Sequence, residues 1–376
     1  MKIYLRHNVF DAALARIRWL FDEFPNVIVN FSGGKDSTVI FNLALIVARE
    51  RGRLPLPVFF IDQEAEWQTV VDYIRTVMNR PEVKPLWLQV PYRYTHATSN
   101  AQQYFYPWEP DKQWIRAKEP NSIHENTFGT DRFAALFGGY LKTEFPKQRV
   151  SRLAGVRCEE SPARRAGLTR GNVLKGVTWG RTEGDPKHHF VFYPIYDWSV
   201  MDVWKAIHDH GWAYCSLYDV MYQHGIPTAR MRVSSINHET AVTTLRYLQE
   251  VEGQTWNAVT KRLSGVNAVN QMQASWFRPK DLPSMFVDWR EYRDHLLVNL
   301  VTDDEVRRRF RKQFEAGERA IADQYHPELW KHQVGCILVD DFEGVKWSTW
   351  IAAHQGWQRA RQPGGHRYRE KRRAVA

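Results

Sequence analysis

The stretch Val27-Ile28-Val29-Asn30-Phe31-Ser32-Gly33-Gly34-Lys35-Asp36-Ser37 decides the fold. Its first five residues are β-branched and apolar, which reads as a buried strand. Residues 38–49 are apolar almost throughout, which suits a helix buried on most sides. Between them two glycines let the backbone turn tightly and present its N–H groups to an anion, and the helix N-terminus adds its dipole. Lys35 can neutralise a phosphate, and Ser32 and Ser37 carry hydroxyl donors. A Walker A loop would need glycine at position 29, where Val29 stands, and no G-x-G-x-x-G follows the strand.

Working outward, residues 10–24 place Phe10, Ala13, Leu14, Ile17, Leu20, Phe21 and Phe24 on one helical stripe. Residues 56–61 read as a second strand, 69–78 as a helix and 85–90 as a third strand. Strands alternating with helices at this spacing predict an α/β fold, a parallel twisted sheet with helices on both faces. Residues 91–145, rich in Trp, Tyr, Pro and His, read as a long irregular insertion, either a lid packed by its own aromatics or, through Tyr92-Arg93-Tyr94 and Trp114-Ile115-Arg116, a single-stranded nucleic-acid site. The α/β pattern resumes at 152–157, 190–193 and a helix over 199–209. The expected organisation is a nucleotide-binding domain over 1–238, a mainly helical region over 239–350 and a basic tail over 351–376.

The chain has 376 residues, 43% of them hydrophobic and 25% charged, which excludes disordered and collagen-like classes. Three cysteines, Cys158, Cys215 and Cys336, without a C-x-x-C, argue against a disulfide framework, an iron–sulfur cluster and structural zinc. The N-terminus lacks the apolar core of a signal peptide, and the longest apolar run is about half a membrane span. A cytoplasmic protein with no membrane association is therefore expected. Of the net charge of +10, residues 359–376 carry seven Lys/Arg and one Glu, so the excess concentrates in a tail suited either to a polyanion such as nucleic acid or simply to solubility.

The Ser32–Ser37 loop after strand one resembles the pyrophosphate loop (PP-loop) of the N-type ATP pyrophosphatases, the adenine nucleotide alpha hydrolase-like superfamily. Three further segments resemble its phosphoadenosine phosphosulfate (PAPS) reductase branch. They are Gly155-Val156-Arg157-Cys158-Glu159-Glu160-Ser161-Pro162-Ala163-Arg164, Pro194-Ile195-Tyr196-Asp197-Trp198 through Asp202-Val203-Trp204, and Tyr214-Cys215-Ser216-Leu217-Tyr218-Asp219. Ile61-Asp62-Gln63-Glu64-Ala65-Glu66, Trp108 to Trp114 and Leu329 to Leu338 also resemble the subgroup related to the immunoglobulin-binding regulator.

The resemblance implies that Ser32, Gly33, Gly34, Lys35, Asp36 and Ser37 hold the phosphates of ATP, or the sulfate end of PAPS. It further implies that Asp62, Glu64 and Gly155 line the nucleotide, and that Arg157 and Arg164 bind phosphate or sulfate. Lys35, Asp36, Arg157 and Arg164 are the catalytic candidates. With ATP as ligand, Asp36 and Asp62 are the candidate Mg²⁺ carboxylates. Asp36 can equally cap the following helix, and Asp62, Glu64 and Glu66 can equally form a solvated turn. Asp197, Trp198 and Asp202 read as the architecture of a helix start.

One part of the family pattern is missing. PAPS reductases use a thiolate from a Glu-Cys-Gly-(Ile/Leu)-His segment, which this sequence lacks. Three functions follow: ATP cleavage at the α-phosphate with adenylyl transfer to an acceptor; a PAPS reductase or other PAPS-using sulfur enzyme whose thiol comes from a partner protein; and a nucleotide-sensing or nucleic-acid-binding regulator.

Overall fold

A computed structural model describes residues 6–95, 104–168, 173–229, 231–233, 236, 242–263, 266, 279–320, 328–339, 341 and 344–361. The chain divides into two compact units, one of Met1–Tyr94 with Tyr104–Val266, the other of Thr95–Gln103 with Asn267–Ala376.

The first unit opens with helix α1 (Val9–Glu23), whose N-cap Asn8 accepts the Asp11 N–H. Then come β1 (Asn26–Asn30), α2 (Lys35–Glu50), β2 (Leu56–Ile61), α3 (Gln68–Met78) and β3 (Val83–Leu88). Two short strands, β4 (Tyr94–Thr95) and β5 (Tyr104–Phe105), stand outside the main sheet. The chain continues through α4 (Phe133–Glu144), β6 (Val150–Leu153), a 3₁₀ turn over Cys158–Glu160, α5 (Pro162–Gly167), β7 (Gly180–Thr182) and β8 (His189–Phe192). Helices α6 (Val200–Asp209), α7 (Leu217–Gln223), α8 (Val242–Val251) and α9 (Gly253–Arg262) complete it.

The main sheet has the order β3-β2-β1-β6-β8-β7, all parallel except the β7 edge, which is antiparallel to β8. The register sets Val29 beside Val58 and Ile28 beside Arg152. Alternation along the strands sends Ile28 and Phe59 to the face covered by α4, where Phe59 meets Phe137 at 4.4 Å. On the other side Phe31 meets Phe41 of α2 at 5.6 Å. Helices on both faces make the strands near-continuous apolar runs, as the sequence pattern requires. The chain runs from β1 outward to β3, then crosses back to β6 on the other side of β1. The crevice at the carboxyl ends of β1 and β6 is therefore the topological switch point, where open α/β sheets take their ligands.

Two features depart from the sequence reading. The segment expected to be irregular over 91–145 contains α4, which buries Leu136, Phe137, Tyr140 and Leu141. Gly138 and Gly139 disguise the helix, yet Gly139 is required, because a Cβ there would stand 2.5 Å from the Phe128 carbonyl oxygen. The first unit also extends past position 238 to include α8 and α9. Glu252 accepts the N–H groups of Gln68 and Thr69 (2.7 and 2.9 Å) at the start of α3, and Trp256 and Val259 are buried.

The second unit holds α10 (Trp289–Asn299), α11 (Asp304–Ala320), α12 (Leu329–Leu338) and α13 (Val345–Arg361). Leu296, Phe310, Phe314, Ile337 and Trp347 form its core. Gly317 makes room for Trp347, whose ring would lie 2.4 Å from an added Cβ. Arg293 is buried and held by Gln333 and Glu318 at 2.5 and 3.0 Å. Residues 351–361 of the expected tail are helical, and 362–376 lie outside the described residues. No helix among the described residues is long and apolar enough to cross a membrane.

Candidate functional site

The loop between β1 and α2 is built around hydroxyls and missing side chains. Ser37 Oγ donates to the Gly34 carbonyl (2.8 Å), accepts the Ser32 N–H (3.2 Å) and lies 3.2 Å from Ser32 Oγ. Gly33 has φ +71°, and a Cβ there would meet Val70 Cγ1 at 2.9 Å. Gly34 is the N-cap of α2 and supplies no capping side chain. A Cβ at Gly34 would sit 3.4 Å from Ser32 Oγ, 3.5 Å from the Tyr218 hydroxyl and 3.6 Å from Val233. Glycine thus keeps a small polar cradle open at the helix start.

Lys35 is buried at the head of α2, with its Nζ 3.2 Å from the Met231 carbonyl and 3.4 Å from Asp36 Oδ2. Its ammonium lies 5.5 Å from the centre of the Tyr218 ring, and the Tyr218 hydroxyl accepts the Lys35 backbone N–H at 3.0 Å. Burial lowers the Lys35 pKa, Asp36 opposes that shift, and the nearby charges of Arg157 and Arg232 reinforce it. A buried cation among other cations favours an anionic ligand, which restores part of the charge balance lost on desolvation.

Asp36 also accepts from Arg157 Nε at 2.5 Å. Arg157, itself buried, follows β6 and reaches across the switch point. Gly155 permits the approach, since a Cβ there would be 2.8 Å from the Asp36 carbonyl carbon. The expected phosphate ligands Arg157 and Arg164 do share a surrounding. Glu160 pairs with Arg164 and lies 3.9 Å from Arg157 Nε. They sit on a 3₁₀ turn followed by the short α5, whose N-cap Ser161 accepts the Arg164 N–H. Because the obstruction at Gly155 is backbone, Gly155→Ala should destabilise the protein by about 1–3 kcal/mol in urea unfolding. An unchanged midpoint would mean the two segments are not in contact.

Asp62 and Glu64, expected at the nucleotide, are directed elsewhere. The Asp62 carboxylate is fully buried and accepts from Trp87 Nε1 (2.8 Å), Gln89 Nε2 (2.9 Å), the Glu64 N–H (2.9 Å) and Arg116 Nη2. Glu64, at φ +61°, accepts from the Trp108 and Ile115 N–H groups (2.6 and 3.1 Å) and from Arg262 Nε (3.0 Å). The two carboxylates anchor the 108–116 segment and α9 to the end of β2. Asp62 therefore does not fit the role of a Mg²⁺ carboxylate, and the run 62–66 is no solvated turn. Asp36 could be one ligand of a nucleotide-borne Mg²⁺, which would neutralise phosphate charge. No group of three or more metal-ligating side chains occurs among the described residues. Trp108 packs on Trp114 and under the Arg116 guanidinium, so the insertion is indeed packed by its own aromatics here.

With the geometry established, comparison with known proteins assigns the family. The phosphoadenosine phosphosulfate reductase domain matches residues 26–224, more than half of the chain. The chain belongs to the PAPS reductase family. It is 28% identical over 309 residues to the uncharacterized protein YbdN of Escherichia coli (strain K12), covering 77% of this chain and 75% of YbdN. Among solved structures, the FMN adenylyltransferase of Candida glabrata aligns with 16% identity and a TM-score of 0.37, covering 56% of this chain and 57% of that one. The PAPS reductase of Candida auris aligns with 13% identity and a TM-score of 0.30, covering 58% and 94%.

Within this PAPS reductase domain, Asp197, Trp198 and Asp202 are architectural, as expected. Asp197 holds Arg16 (2.6 Å), Trp198 Nε1 donates to the Val9 carbonyl (3.0 Å), and Asp202 forms a capping box with Ser199. Two site residues escaped the sequence reading. Tyr218 lay inside a quoted motif without a role; Arg232 had no motif. Tyr218→Phe keeps the ring under Lys35 but strands the Lys35 N–H. It should lower stability by about 1–2 kcal/mol and weaken nucleotide binding several-fold by calorimetry. Wild-type values in both measurements would refute the contact.

Proposed function

We propose that the chain is an adenine-nucleotide-binding PP-loop enzyme that cleaves ATP at the α-phosphate and transfers the adenylyl group to an acceptor. The observation that supports this reading is the pairing of buried Lys35 and Arg157 with the partly exposed Asp36 at the N-terminus of α2, whose N-cap Gly34 has no side chain. Phosphoryl chemistry of this kind needs positioning and charge neutralisation, which these groups can supply. An acceptor oxygen would form a bond to the α-phosphorus as the bond to the bridging oxygen breaks and pyrophosphate leaves.

Thiol chemistry is less well supported. A reductive step needs a nucleophile present as thiolate. Burial raises the Cys158 thiol pKa and pushes that of Cys215 up to about 12, while Cys336 is buried in the helical second unit. The test is calorimetric titration with ATP/Mg²⁺, PAPS, adenylyl sulfate and adenosine 3′,5′-bisphosphate, joined to an assay for pyrophosphate release. ATP binding with release that depends on Lys35 is the expected result. Tight PAPS binding without any ATP turnover would replace this reading with a PAPS-using one.

A further inference from the structure

Helix α3 has no cap of its own. Its N-cap position is Trp67, whose side chain makes no capping hydrogen bond, so the first N–H groups of the helix need partners from outside it. Glu252, at the junction of α8 and α9, supplies them. Its Oε2 accepts the Gln68 N–H at 2.7 Å, and its Oε1 accepts the Thr69 N–H at 2.9 Å and the Thr69 hydroxyl at 2.5 Å. Among the described residues this carboxylate has no other polar partner. The helix dipole favours a negative charge at that end as well. Glu252 is itself fixed, since its N–H donates to the Leu248 carbonyl in α8 (2.8 Å) and its carbonyl accepts the Trp256 N–H in α9 (2.9 Å). The far end of α9 is tied down by Arg262, which donates to Glu64 (3.0 Å) and to the Tyr106 carbonyl (2.8 Å).

Helix α3 in turn backs the glycine loop. Val70 and Ile74 are the wall against which Gly33 turns, at 2.9 and 3.2 Å from the Cβ that glycine lacks. Tyr73 donates to the Ala213 carbonyl (2.8 Å), accepts from the Thr38 hydroxyl in the first turn of α2 (3.1 Å) and lies 5.7 Å from the Phe31 ring. Phe31, Gly33 and Thr38 bracket the loop on both sides, so the position of α3 sets that of the loop's N–H groups. We propose that Glu252 is a positioning residue: by capping α3 it holds the Ser32–Ser37 loop in the conformation that binds the nucleotide. The α8–α9 hairpin, which lies beyond the matched 26–224 segment, is thereby coupled to the site through contiguous packed side chains. Without the carboxylate two backbone N–H groups lose their partners, the first turn of α3 frays, and Val70 no longer pins Gly33 at its φ of +71°. The effect on affinity rests on the nucleotide reading above, whereas the effect on the loop does not.

Amide hydrogen exchange of the free full-length protein and calorimetric titration with ATP/Mg²⁺ test this in wild type, Glu252→Ala, Glu252→Gln and Asn8→Ala. Asn8 caps α1, so its variant controls for the loss of an ordinary helix cap. Glu252→Ala should speed exchange in residues 33–38 and 68–70 and weaken nucleotide binding, each by about fivefold, the factor that one lost cap corresponds to. Glu252→Gln, whose amide oxygen keeps one acceptor, should be intermediate, and it carries the comparison alone if Glu252→Ala does not fold. Asn8→Ala should match wild type in both measurements. Unchanged exchange in 33–38, acceleration confined to 68–70, equal acceleration in Asn8→Ala, or a faster-exchanging loop with unaltered nucleotide affinity would each overturn the proposal. Failure of the wild type to bind ATP would instead overturn the nucleotide reading, and exchange in 33–38 would still decide whether Glu252 holds the loop.

Discussion

Lys35→Ala should lower ATP-dependent pyrophosphate release by about 10²–10³-fold, the loss typical of one preorganised charge-stabilising donor. Lys35 is the single cation inside the turn of the loop, and its Nζ is held by the Met231 carbonyl and Asp36. Removing it leaves the Ser32–Ser37 hydroxyl contacts and the Lys35-position N–H to Tyr218 available, because those use backbone at position 35. Stability should not fall with activity. The ammonium is desolvated and repelled by Arg157 and Arg232, so its deletion relieves a cost. Activity near that of the wild type would remove Lys35 from the chemistry. Lost activity with a lower melting temperature would show that it mainly holds the fold.

The second large effect is a pH dependence of stability carried by Glu66. This carboxyl is buried beside Asp62, and burial first, then the Asp62 charge, raises its pKa from 4.5 to about 8, against the attraction of Arg116. Between those two values the unfolded chain has released a proton that the folded protein keeps. Stability therefore falls as pH rises from about 4.5 to about 8 and levels off above it, with a limiting slope of about 1.4 kcal/mol per pH unit. Glu66→Gln should flatten this component, so that by pH 8 the variant is more stable than wild type by roughly 2 kcal/mol, relaxation reducing the full penalty. Urea unfolding across this range checks it. Parallel profiles for the two proteins would show that Glu66 does not titrate in that window. Glu64 is raised in the same direction by burial, but it is present in both proteins and drops out of the difference.

Part of the site was legible because it is local. Strand, Gly-Gly turn, lysine and helix follow one another without interruption, and a contiguous segment carries its own backbone geometry into the fold. The expected strand over 56–61 coincides with β2, and Ser199 caps α6 where a helix start was expected. Arg157 and Arg164 were expected from a motif, and both lie at Glu160. Asp62 shows the opposite case. A carboxylate at the end of a strand can face a ligand or the protein, and the choice lay with Trp87 and Gln89 and with Arg116, 54 residues away. The α4 helix was hidden by two glycines, and the purpose of one of them, Gly139, appears only once the Phe128 carbonyl is packed against it.

The sequence by itself determined the α/β order and the glycine-rich loop between strand and helix, since each depends on residue type and spacing along the chain. Only the tertiary structure decided which charges belong to the site. Asp62 and Glu64 were drawn into buried hydrogen bonds, and the Met231 carbonyl was brought to Lys35 Nζ across 196 residues. The physical reason is range. Backbone conformation is set by neighbours in sequence, whereas the role of a charged side chain is set by whichever groups lie within a few ångströms of it, and those come from anywhere in the chain.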